Sequence, residues 1–282
     1  MLVNLKTILL SADSEKTAVG SFNVYSYETI HGVCKAVEET KKPAIISFGA
    51  SYIKNMSLEC AKAIVDEAVK ELPADTALHL DHCRDIKIIK NAIDAGFTSV
   101  MYDGSALSFE ENVENTRAVV NMAHEKNVSV EAELGKVALG AYSNETDIDD
   151  GQAYTEPEKA AEFADKTGID ALAVSIGTVH GLYTGTPKIR VDILKEINRV
   201  TDVPLVLHGG SGTPEDILID CISNGICKIN VNTEISHYTV EKILEAIKSE
   251  PSVHLSKLTI MEADFVSQVV RKYIKLFNKN LL

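Results

Sequence analysis

The sequence has no long hydrophobic run, no basic cluster and no paired-cysteine motif, and each absence excludes a class of protein. No stretch approaches the roughly 18 apolar residues of a membrane span, and the first apolar patch is too short for a signal peptide and is interrupted by Lys6. The 28 Lys and Arg against 41 Asp and Glu leave a formal charge of −13, without the basic stretch that nucleic-acid binding requires. We therefore expect a soluble, cytoplasmic protein that binds neither nucleic acid nor membrane.

Disulfide bonds and linkers are also not indicated. The five cysteines, at positions 34, 60, 83, 221 and 227, are scattered without a C-x-x-C pair, so we expect small buried apolar residues rather than disulfides or a thiolate metal cluster. No low-complexity tract, linker or short repeat breaks the chain. Since α/β barrels reach this length, we predict one domain over residues 1–282.

Short, β-rich apolar runs alternate with longer segments of helical period along the chain. The eight candidate strands end near Asn23, Phe48, Leu80, Tyr102, Leu134, Ser175, His208 and Asn232. Their apolar runs are continuous rather than alternating, which is typical of a parallel sheet covered by helices. The predicted fold is α/β, a closed (β/α)₈ TIM barrel, and an open doubly wound sheet is the alternative.

Two helices have recognisable start signals. Ser57 is a candidate cap for a helix with one apolar stripe, formed by Leu58, Ala61, Val65, Ala68 and Leu72. Thr213-Pro214-Glu215 supplies a cap, a proline at the first helical position and an acid in the first turn. The segments 135–157 and 176–187 are unusually long, and long loops in a compact domain tend to be functional.

Polar residues are concentrated where the predicted strands end, which is where active sites of such barrels lie. His82, His180 and His208 come from three strands and together supply the three neutral nitrogens of a catalytic zinc site. Asp81 could orient a ligand, bind the metal or act as a general base, and the residues alone leave these alternatives open. The histidines at positions 31, 124, 237 and 254 are expected on the surface.

Two glycine- and asparagine-containing segments point to phosphate. Residues 208–214 (HGGSGTP) and 230–233 (NVNT) place backbone N–H groups at helix starts after the seventh and eighth strands, whose loops most often bind phosphate in this architecture. Glycines permit close backbone approach to an anion, so an acidic protein can still bind an acidic substrate. We expect a phosphate-binding site at these loops.

Five motifs carry a resemblance to a known family: LHLDHC (78–83), VEAELG (130–135), AVSIGTVHGLYTGTPKI (173–189), PLVLHGGSGTP (204–214) and KINVNTE (228–234). In this order they resemble the class II, zinc-dependent fructose-bisphosphate and tagatose-bisphosphate aldolases. The resemblance spans nearly the whole chain and is specific to the family, though not to the sugar. It implies reversible cleavage of a ketose bisphosphate to dihydroxyacetone phosphate and an aldehyde such as glyceraldehyde 3-phosphate, as in glycolysis.

The resemblance also implies roles for particular residues. His82, His180 and His208 would bind one catalytic zinc ion per chain, Asp81 would be the acid/base at the C4 oxygen, and Asp103 and Glu133 would lie near an alternative metal position. The dihydroxyacetone-phosphate half would contact Asn23, Gly181, Gly209, Gly210, Ser211, Asn230, Asn232 and Thr233. A homodimer or homotetramer and an accompanying monovalent cation are further expectations. Zinc would stabilise the enediolate, so no Schiff-base lysine is needed, and Lys228 is interpreted as structural.

The chain departs from the family pattern at two places. Where the family has a Gly-Gly pair followed by an acidic residue that exchanges the C3 proton, this chain has KVALGAYSNE (136–145), and Glu145 is the candidate replacement. Where the family has Asp-Pro-Arg, this chain has Glu250-Pro251-Ser252, and serine cannot replace the arginine charge at a distal phosphate. Lys257 and Arg271 could compensate.

Recognition of the substrate's distal end is therefore expected to be weaker, with ketose 1-phosphates as alternative substrates. A non-catalytic sugar-phosphate-binding barrel and a metal-dependent isomerase or epimerase are the competing hypotheses. Product analysis separates them, because they yield C–C cleavage, no product or an isomeric sugar.

Overall fold

The computed structural model describes residues 1–143, 154–183, 185 and 187–279, which contain ten strands. In chain order these are β1 (Val19–Asn23), β2 (Ala44–Gly49), β3 (Thr76–Cys83), β4 (Ser99–Tyr102), β5 (Ser129–Leu134), β6 (Ala138–Leu139), β7 (Ala171–Val174), β8 (Val179–His180), β9 (Leu205–Leu207) and β10 (Ile226–Val231). Eight of them close a barrel in the order β1-β2-β3-β4-β5-β7-β9-β10, with β10 pairing back to β1 in parallel. The predicted TIM barrel is confirmed, and the open sheet is excluded.

Helices surround the barrel and connect its strands. They are α1 (Leu5–Ser14), α2 (Tyr27–Thr40), α3 (Leu58–Ala68), α4 (Ile86–Ala95), α5 (Phe109–His124), α6 (Pro157–Thr167), α7 (Val191–Val200), α8 (Glu215–Ser223), α9 (Thr233–Ser249) and α10 (Leu255–Phe277), with a 3₁₀ turn at Ala50–Lys54. The short strands β6 and β8 pair in parallel as a separate sheet. Strand β6 lies in the long segment 135–157 and β8 in the long segment 176–187, both of which the sequence analysis predicted to be functional.

The strands are buried on both faces, which explains why their apolar runs are continuous. In β3, Leu78 and Leu80 pack into the large core between barrel and helices, whereas Ala77 belongs to a second core inside the barrel. Because side chains alternate along a strand, His79 and Asp81 share the inward face with Ala77. Each strand therefore contributes apolar residues to the helix side and site residues to the interior.

Helix α1 closes the amino-terminal end of the barrel. Its buried Leu5 and Leu9 pack against Val19, Ile45 and Ala77 at the beginnings of β1, β2 and β3. The interior is thus apolar at this end and polar at the opposite end, where the strands finish. The candidate site lies at the polar end.

The two helix starts predicted from sequence have different outcomes. Ser57 caps α3 by accepting a hydrogen bond from the Cys60 amide, but the helix ends at Ala68, so Leu72 lies beyond it. Helix α8 begins at Glu215 with Pro214 in the cap position, one residue later than predicted. Thr213 is not the cap, because its hydroxyl donates to the Gly209 carbonyl and closes the preceding turn instead.

Cysteine burial and membrane spans can also be compared with the expectations. Four cysteines are buried as expected, but Cys60 is exposed on α3. Within the described ranges, no helix has the length and apolarity to cross a membrane.

Candidate active site

Consecutive residues at the end of β3, Asp81 and His82, both face the barrel mouth. The register between β3 and β4 shifts between Leu80 and Cys83, and His82 has a left-handed backbone with φ of 44°. This conformation is unfavourable for a residue with a Cβ and costs about 1–3 kcal/mol, which the surrounding structure must offset. The shift overrides strand alternation and places a carboxylate beside an imidazole.

Three histidines converge at this mouth. The ring centroids of His82 lie 4.9 Å from His180 and 4.6 Å from His208, and those of His180 and His208 lie 5.7 Å apart. One nitrogen from each ring lies within 4.8 Å of the others. A set of three imidazole nitrogens is the donor set of many catalytic zinc sites.

His208 shows most directly that this set fits a cation. Its Nε2 atom lies 3.0 Å from Glu131 Oε1, which favours the tautomer with the proton on Nε2. Its Nδ1 atom lies 3.2 Å from Glu133 Oε2, and both atoms are buried without a hydrogen-bond partner among the described residues. A metal ion at Nδ1 would satisfy this buried lone pair, for which the described residues supply no donor.

The electrostatics of the histidines agree with this fit. Burial lowers the pKa of His180 well below its usual value, so its ring is neutral. Burial also acts to lower the pKa of His208, but the carboxylates of Glu131 and Glu133 outweigh it and leave the pKa raised. The same negative charges favour a metal cation beside His208.

Asp103 and Glu133 lie beside the three-histidine set rather than in it. Among the described residues, the donor atoms within 4.8 Å of one another come from the three histidines. Asp103 Oδ2 accepts hydrogen bonds from Nε and Nη2 of Arg84 at 3.0 and 2.9 Å, and Oδ1 accepts the Ser105 hydroxyl at 2.6 Å. Its Oδ2 lies 3.8 Å from His82 Nδ1, where it can orient that ring.

Two asparagines hold the Asp81 carboxylate. The Nδ2 atoms of Asn23 and Asn230 donate to Oδ2 at 2.9 Å and to Oδ1 at 3.2 Å. Burial acts to raise the pKa of Asp81, but the charges of His82 and Lys228 outweigh it and hold the pKa well below its usual range. Asp81 is therefore ionised and can accept a proton.

Below Asp81 lies a fully buried lysine that sequence reasoning treated as structural. Lys228 Nζ donates to Asn230 Oδ1 at 2.7 Å and lies 2.8 Å from Glu131 Oε2. Because Lys228 binds the Asn230 oxygen, the Asn230 NH₂ group is directed at Asp81. Burial acts to raise the pKa of Glu131, but the charge of Lys228 outweighs it and keeps the carboxylate ionised.

Glu131, Lys228 and His79 form a polar layer that was not among the predicted site residues. His79 Nδ1 contacts Ser99 Oγ at 2.9 Å, and its Nε2 lies 3.7 Å from Glu131 Oε2. Burial lowers the pKa of His79 to about 4, so the ring is neutral. Strand alternation could have predicted their inward position, since each of the three lies two residues before a predicted site residue on its own strand.

A cavity at the mouth brings together most of the predicted substrate residues. It is lined by Asn23, Asp81, His82, Ser143, His180, Gly181, Gly209, Ser211, Asn230, Asn232 and Thr233. Ser211 Oγ accepts the N–H groups of Asn232 and Glu234, which joins the loop after β9 to the start of α9. The predicted helix-start environment is therefore present.

Gly210 is the exception among the predicted substrate residues. It is outside the cavity lining, and its N–H donates to the Asn230 carbonyl at 2.9 Å. A Cβ at this position would lie 2.5 Å from Ile229 Cγ2, so glycine is needed for close packing on β10. Packing against β10 therefore explains the glycine at position 210 without a contact to the substrate.

The residues considered for the distal end do not meet at this mouth. Lys257 pairs with Glu250 at 3.7 Å, and Arg271 pairs with Glu39. Within the described part of the chain, neither they nor Ser252 line the cavities around the three histidines. Glu145, the candidate loop acid, lies outside the described residues.

A TIM barrel with three clustered histidines and a buried carboxylate at its polar end is an enzyme scaffold, and comparison with known proteins specifies it. The model of the class II fructose-bisphosphate aldolase family matches residues 3–280. The chain therefore belongs to the class II fructose-bisphosphate aldolase family and is an aldehyde-lyase of aldolase type.

Individual relatives agree with this assignment. A sulfofructosephosphate aldolase from Alkalicoccus urumqiensis is 39% identical over 274 residues, which cover 96% of this chain and 95% of the relative. The crystal structure of the YdjI aldolase from Escherichia coli K12 is 34% identical, with a TM-score of 0.86 over 99% of this chain and 98% of that one. A fructose-bisphosphate aldolase structure from Campylobacter jejuni, 22% identical, shares the fold with a TM-score of 0.84 over 97% and 94% of the two chains.

Proposed function

We propose that this aldolase reversibly cleaves a ketose 1-phosphate to dihydroxyacetone phosphate and an aldehyde, using one zinc ion per chain. The observation that carries the proposal is the convergence of His82, His180 and His208 beside a carboxylate that two asparagines hold in place. This is the combination that retro-aldol chemistry needs, namely a cation site and an ionised carboxylate at one mouth. One domain, a homodimer or homotetramer and a monovalent cation remain predictions.

The proposed mechanism assigns the proton transfer to Asp81. A bound zinc ion supplies Lewis acidity for the negative charge that develops on the substrate's C2 oxygen. Asp81 accepts the proton of the C4 hydroxyl while the C3–C4 bond breaks, so that C4 becomes the aldehyde carbonyl and the bonding electrons move into the C2–C3 enediolate. Protonation at C3, for which Glu145 is the candidate donor, then gives dihydroxyacetone phosphate. In the reverse direction Asp81 returns the proton to the C4 oxygen. Asn23 and Asn230 keep the carboxylate aimed at that oxygen.

The phosphate of the substrate is assigned to the loop after β9 and the start of α9. Gly209 has φ of 73°, a conformation that favours glycine, and a Cβ there would lie 2.2 Å from the Val179 carbonyl oxygen. The loop backbone can therefore approach an anion closely, and helix α9 directs its first N–H groups to the same place. Ser211 holds the two segments together.

The distal end of the substrate is proposed to differ from that of fructose 1,6-bisphosphate. Ser252 replaces the family arginine, and Lys257 and Arg271 have acidic partners elsewhere. A relative that is 39% identical is named for a sulfofructose phosphate. Fructose and tagatose 1,6-bisphosphates should therefore have a smaller advantage over ketose 1-phosphates than a charge-assisted arginine contact gives, which is about ten- to a hundredfold.

The test is a panel of ketose mono- and bisphosphates assayed for dihydroxyacetone phosphate, with and without a chelator. We expect release that the chelator abolishes and zinc restores, at about one zinc per chain. An isomeric sugar without cleavage would replace the proposal with an isomerase. Phosphate-sugar binding without any product would replace it with a binding protein, and a bisphosphate advantage of several thousandfold would contradict the distal assignment.

A further inference from the structure

A second cavity, of about 290 Å³, adjoins the first at the catalytic residues. The two cavities share Asn23, Asp81 and His82. Away from these residues the second cavity is lined by Gly49, Ala50, Ser51, Tyr52, Cys83, Arg84, Asp85, Ile88 and Asp103. The phosphate-loop residues Gly209, Ser211 and Thr233 line the first cavity and are not among the described lining residues of the second.

The position of this cavity matches the substrate half that leaves as the aldehyde. Carbons C1 to C3 belong to the dihydroxyacetone-phosphate half and are assigned to the side of Gly209 and Ser211. If Asp81 accepts the C4 proton, then C4 and the carbons beyond it extend away from the phosphate loops. The second cavity begins at Asp81 and is large enough for a three-carbon fragment with a terminal group.

Arg84 gives this cavity its chemical character. It is the one cationic Lys or Arg side chain among the described lining residues, and 47% of its side chain is exposed. Asp103 binds the guanidinium through Nε and Nη2 and so fixes its orientation. A planar guanidinium held in this way is well suited to a charge-assisted contact with an oxyanion.

The acidic residues around Arg84 limit the charge of the group it can bind. Asp81, Asp85 and Asp103 line the same cavity. Asp85 Oδ1 accepts a hydrogen bond from the Lys87 amide at the start of α4, at 2.8 Å. The three carboxylates around one guanidinium leave this wall negative, so they repel a doubly charged group more strongly than a singly charged one. Sulfonates and carboxylates carry one negative charge near neutral pH, whereas a phosphate monoester carries nearly two.

We infer that this cavity is the distal subsite and that Arg84 selects ketose 1-phosphates ending in a singly charged oxyanion, a sulfonate or a carboxylate. The inference rests on the proposed function and adds its specificity determinant. Arg84 is a substrate-binding residue in this assignment, and Asp103 positions it.

The experiment compares four substrates that share the same phosphate end. They are fructose 1-phosphate, fructose 1,6-bisphosphate, 6-deoxy-6-sulfofructose 1-phosphate and fructuronate 1-phosphate. The quantity is kcat/KM for each charged substrate divided by that for fructose 1-phosphate. In the unmodified enzyme this ratio should be highest for the sulfonate or the carboxylate substrate, and comparing these two substrates identifies the preferred anion.

Arg84→Gln should lower the sulfonate and carboxylate ratios by about ten- to a hundredfold, the usual worth of a charge-assisted contact. Arg84→Lys should restore part of this. Arg199→Gln, which removes an exposed arginine paired with Glu196 on α7, should leave all ratios unchanged. Ser105→Ala removes a hydrogen bond to Asp103, which positions Arg84, and should lower the same two ratios by a smaller factor than Arg84→Gln.

Two results would overturn the inference. One is an Arg84→Gln variant that loses the same factor on every substrate, fructose 1-phosphate included, since Arg84 would then not contact the distal group. The other is an unmodified enzyme that prefers fructose 1,6-bisphosphate to both singly charged substrates. If none of the four releases dihydroxyacetone phosphate, the proposed function itself is wrong and the subsite assignment is wrong with it.

Discussion

Lys228 connects the two parts of the reaction centre, although no solvent reaches it. It donates to Asn230, whose amide holds Asp81, and it pairs with Glu131, whose carboxylate contacts His208. A buried charge is stable only when it is paired and hydrogen-bonded, and both conditions are met here. Its position therefore influences the proton acceptor and the proposed metal ligand together.

Lys228→Met should reduce the free energy of unfolding by about 3–5 kcal/mol, because the buried Glu131 carboxylate would lose the lysine cation that balances its charge. Adding Glu131→Gln should restore most of this stability without restoring kcat, since neither Asn230 nor His208 regains its original partner. Urea denaturation measures the first effect and steady-state kinetics the second. Recovery of full kcat in the double variant would show that Lys228 is needed only for folding.

Asp81→Ala should keep the metal and lower kcat by about 10²-fold or more, the usual contribution of a positioned acid/base. The effect should be on kcat more than on KM, because the proton moves in the transition state. Kinetics with elemental analysis of the same preparation provides the measurement. Loss of zinc would instead make Asp81 a ligand.

His208→Ala should lose most of the bound zinc, because the remaining two histidines form an incomplete site. His237→Ala is the matched control, since His237 is exposed on α9 and should leave the zinc content unchanged. Zinc per chain, measured by elemental analysis after dialysis, decides the matter. A His208 variant with undiminished zinc would contradict the ligand assignment.

Sequence predicted the outer layer of this site better than the layer below it. His82, His180, His208 and Asp81 could be found because polar residues at strand ends are unusual and a family motif marks them. Lys228 and Glu131 are in contact although they lie 97 positions apart in the sequence, and a local sequence pattern cannot reveal such a contact. The alternation rule could have placed both side chains in the interior, but not in contact with each other.

At the level of elements, the strand ends were predictable and the local irregularities were not. Seven of the eight barrel strands end within one residue of the predicted position, because burial on both faces leaves a clear sequence signal. The exception is β3, which continues to Cys83, three residues beyond the predicted end near Leu80. The left-handed conformation of His82 and the late start of α8, where the Thr213 hydroxyl donates to the Gly209 carbonyl, are not marked by any propensity pattern. Such departures are concentrated at the mouth, where the chain is shaped for the site rather than by propensity.

Helix α1 offers a test of stability that is separate from the chemistry. Leu9→Ala should lower the free energy of unfolding by about 2–5 kcal/mol, because Leu9 is fully buried against the barrel floor. Its neighbour Leu10 is 48% exposed, so Leu10→Ala should change stability by less than about 0.5 kcal/mol. Denaturant titration compares the two. Equal effects would contradict the assignment of α1 as the closure of the barrel.

For the whole molecule, the apolar cores and the candidate metal site are separate. The cores lie between barrel and helices and at the floor closed by α1, whereas the three histidines lie at the opposite end. Chelation should therefore abolish activity and leave the far-ultraviolet circular dichroism spectrum unchanged, with a lower Tm because a stabilising ligand has been removed. Loss of the helical spectrum on chelation would show that the metal is structural.

His180 is supplied by a different part of the fold from His82 and His208. It lies on the two-stranded sheet of β6 and β8, which is held by the Gly140 amide on the His180 carbonyl at 2.7 Å and by paired bonds between Ala141 and Leu182. A metal ion bound by all three rings would act as a crosslink between the barrel wall and this sheet. The lifetime of the bound ion and the hydrogen-exchange rates of the Ala141 and Leu182 amides should then report the same opening event, so that slow metal release and slow amide exchange occur together.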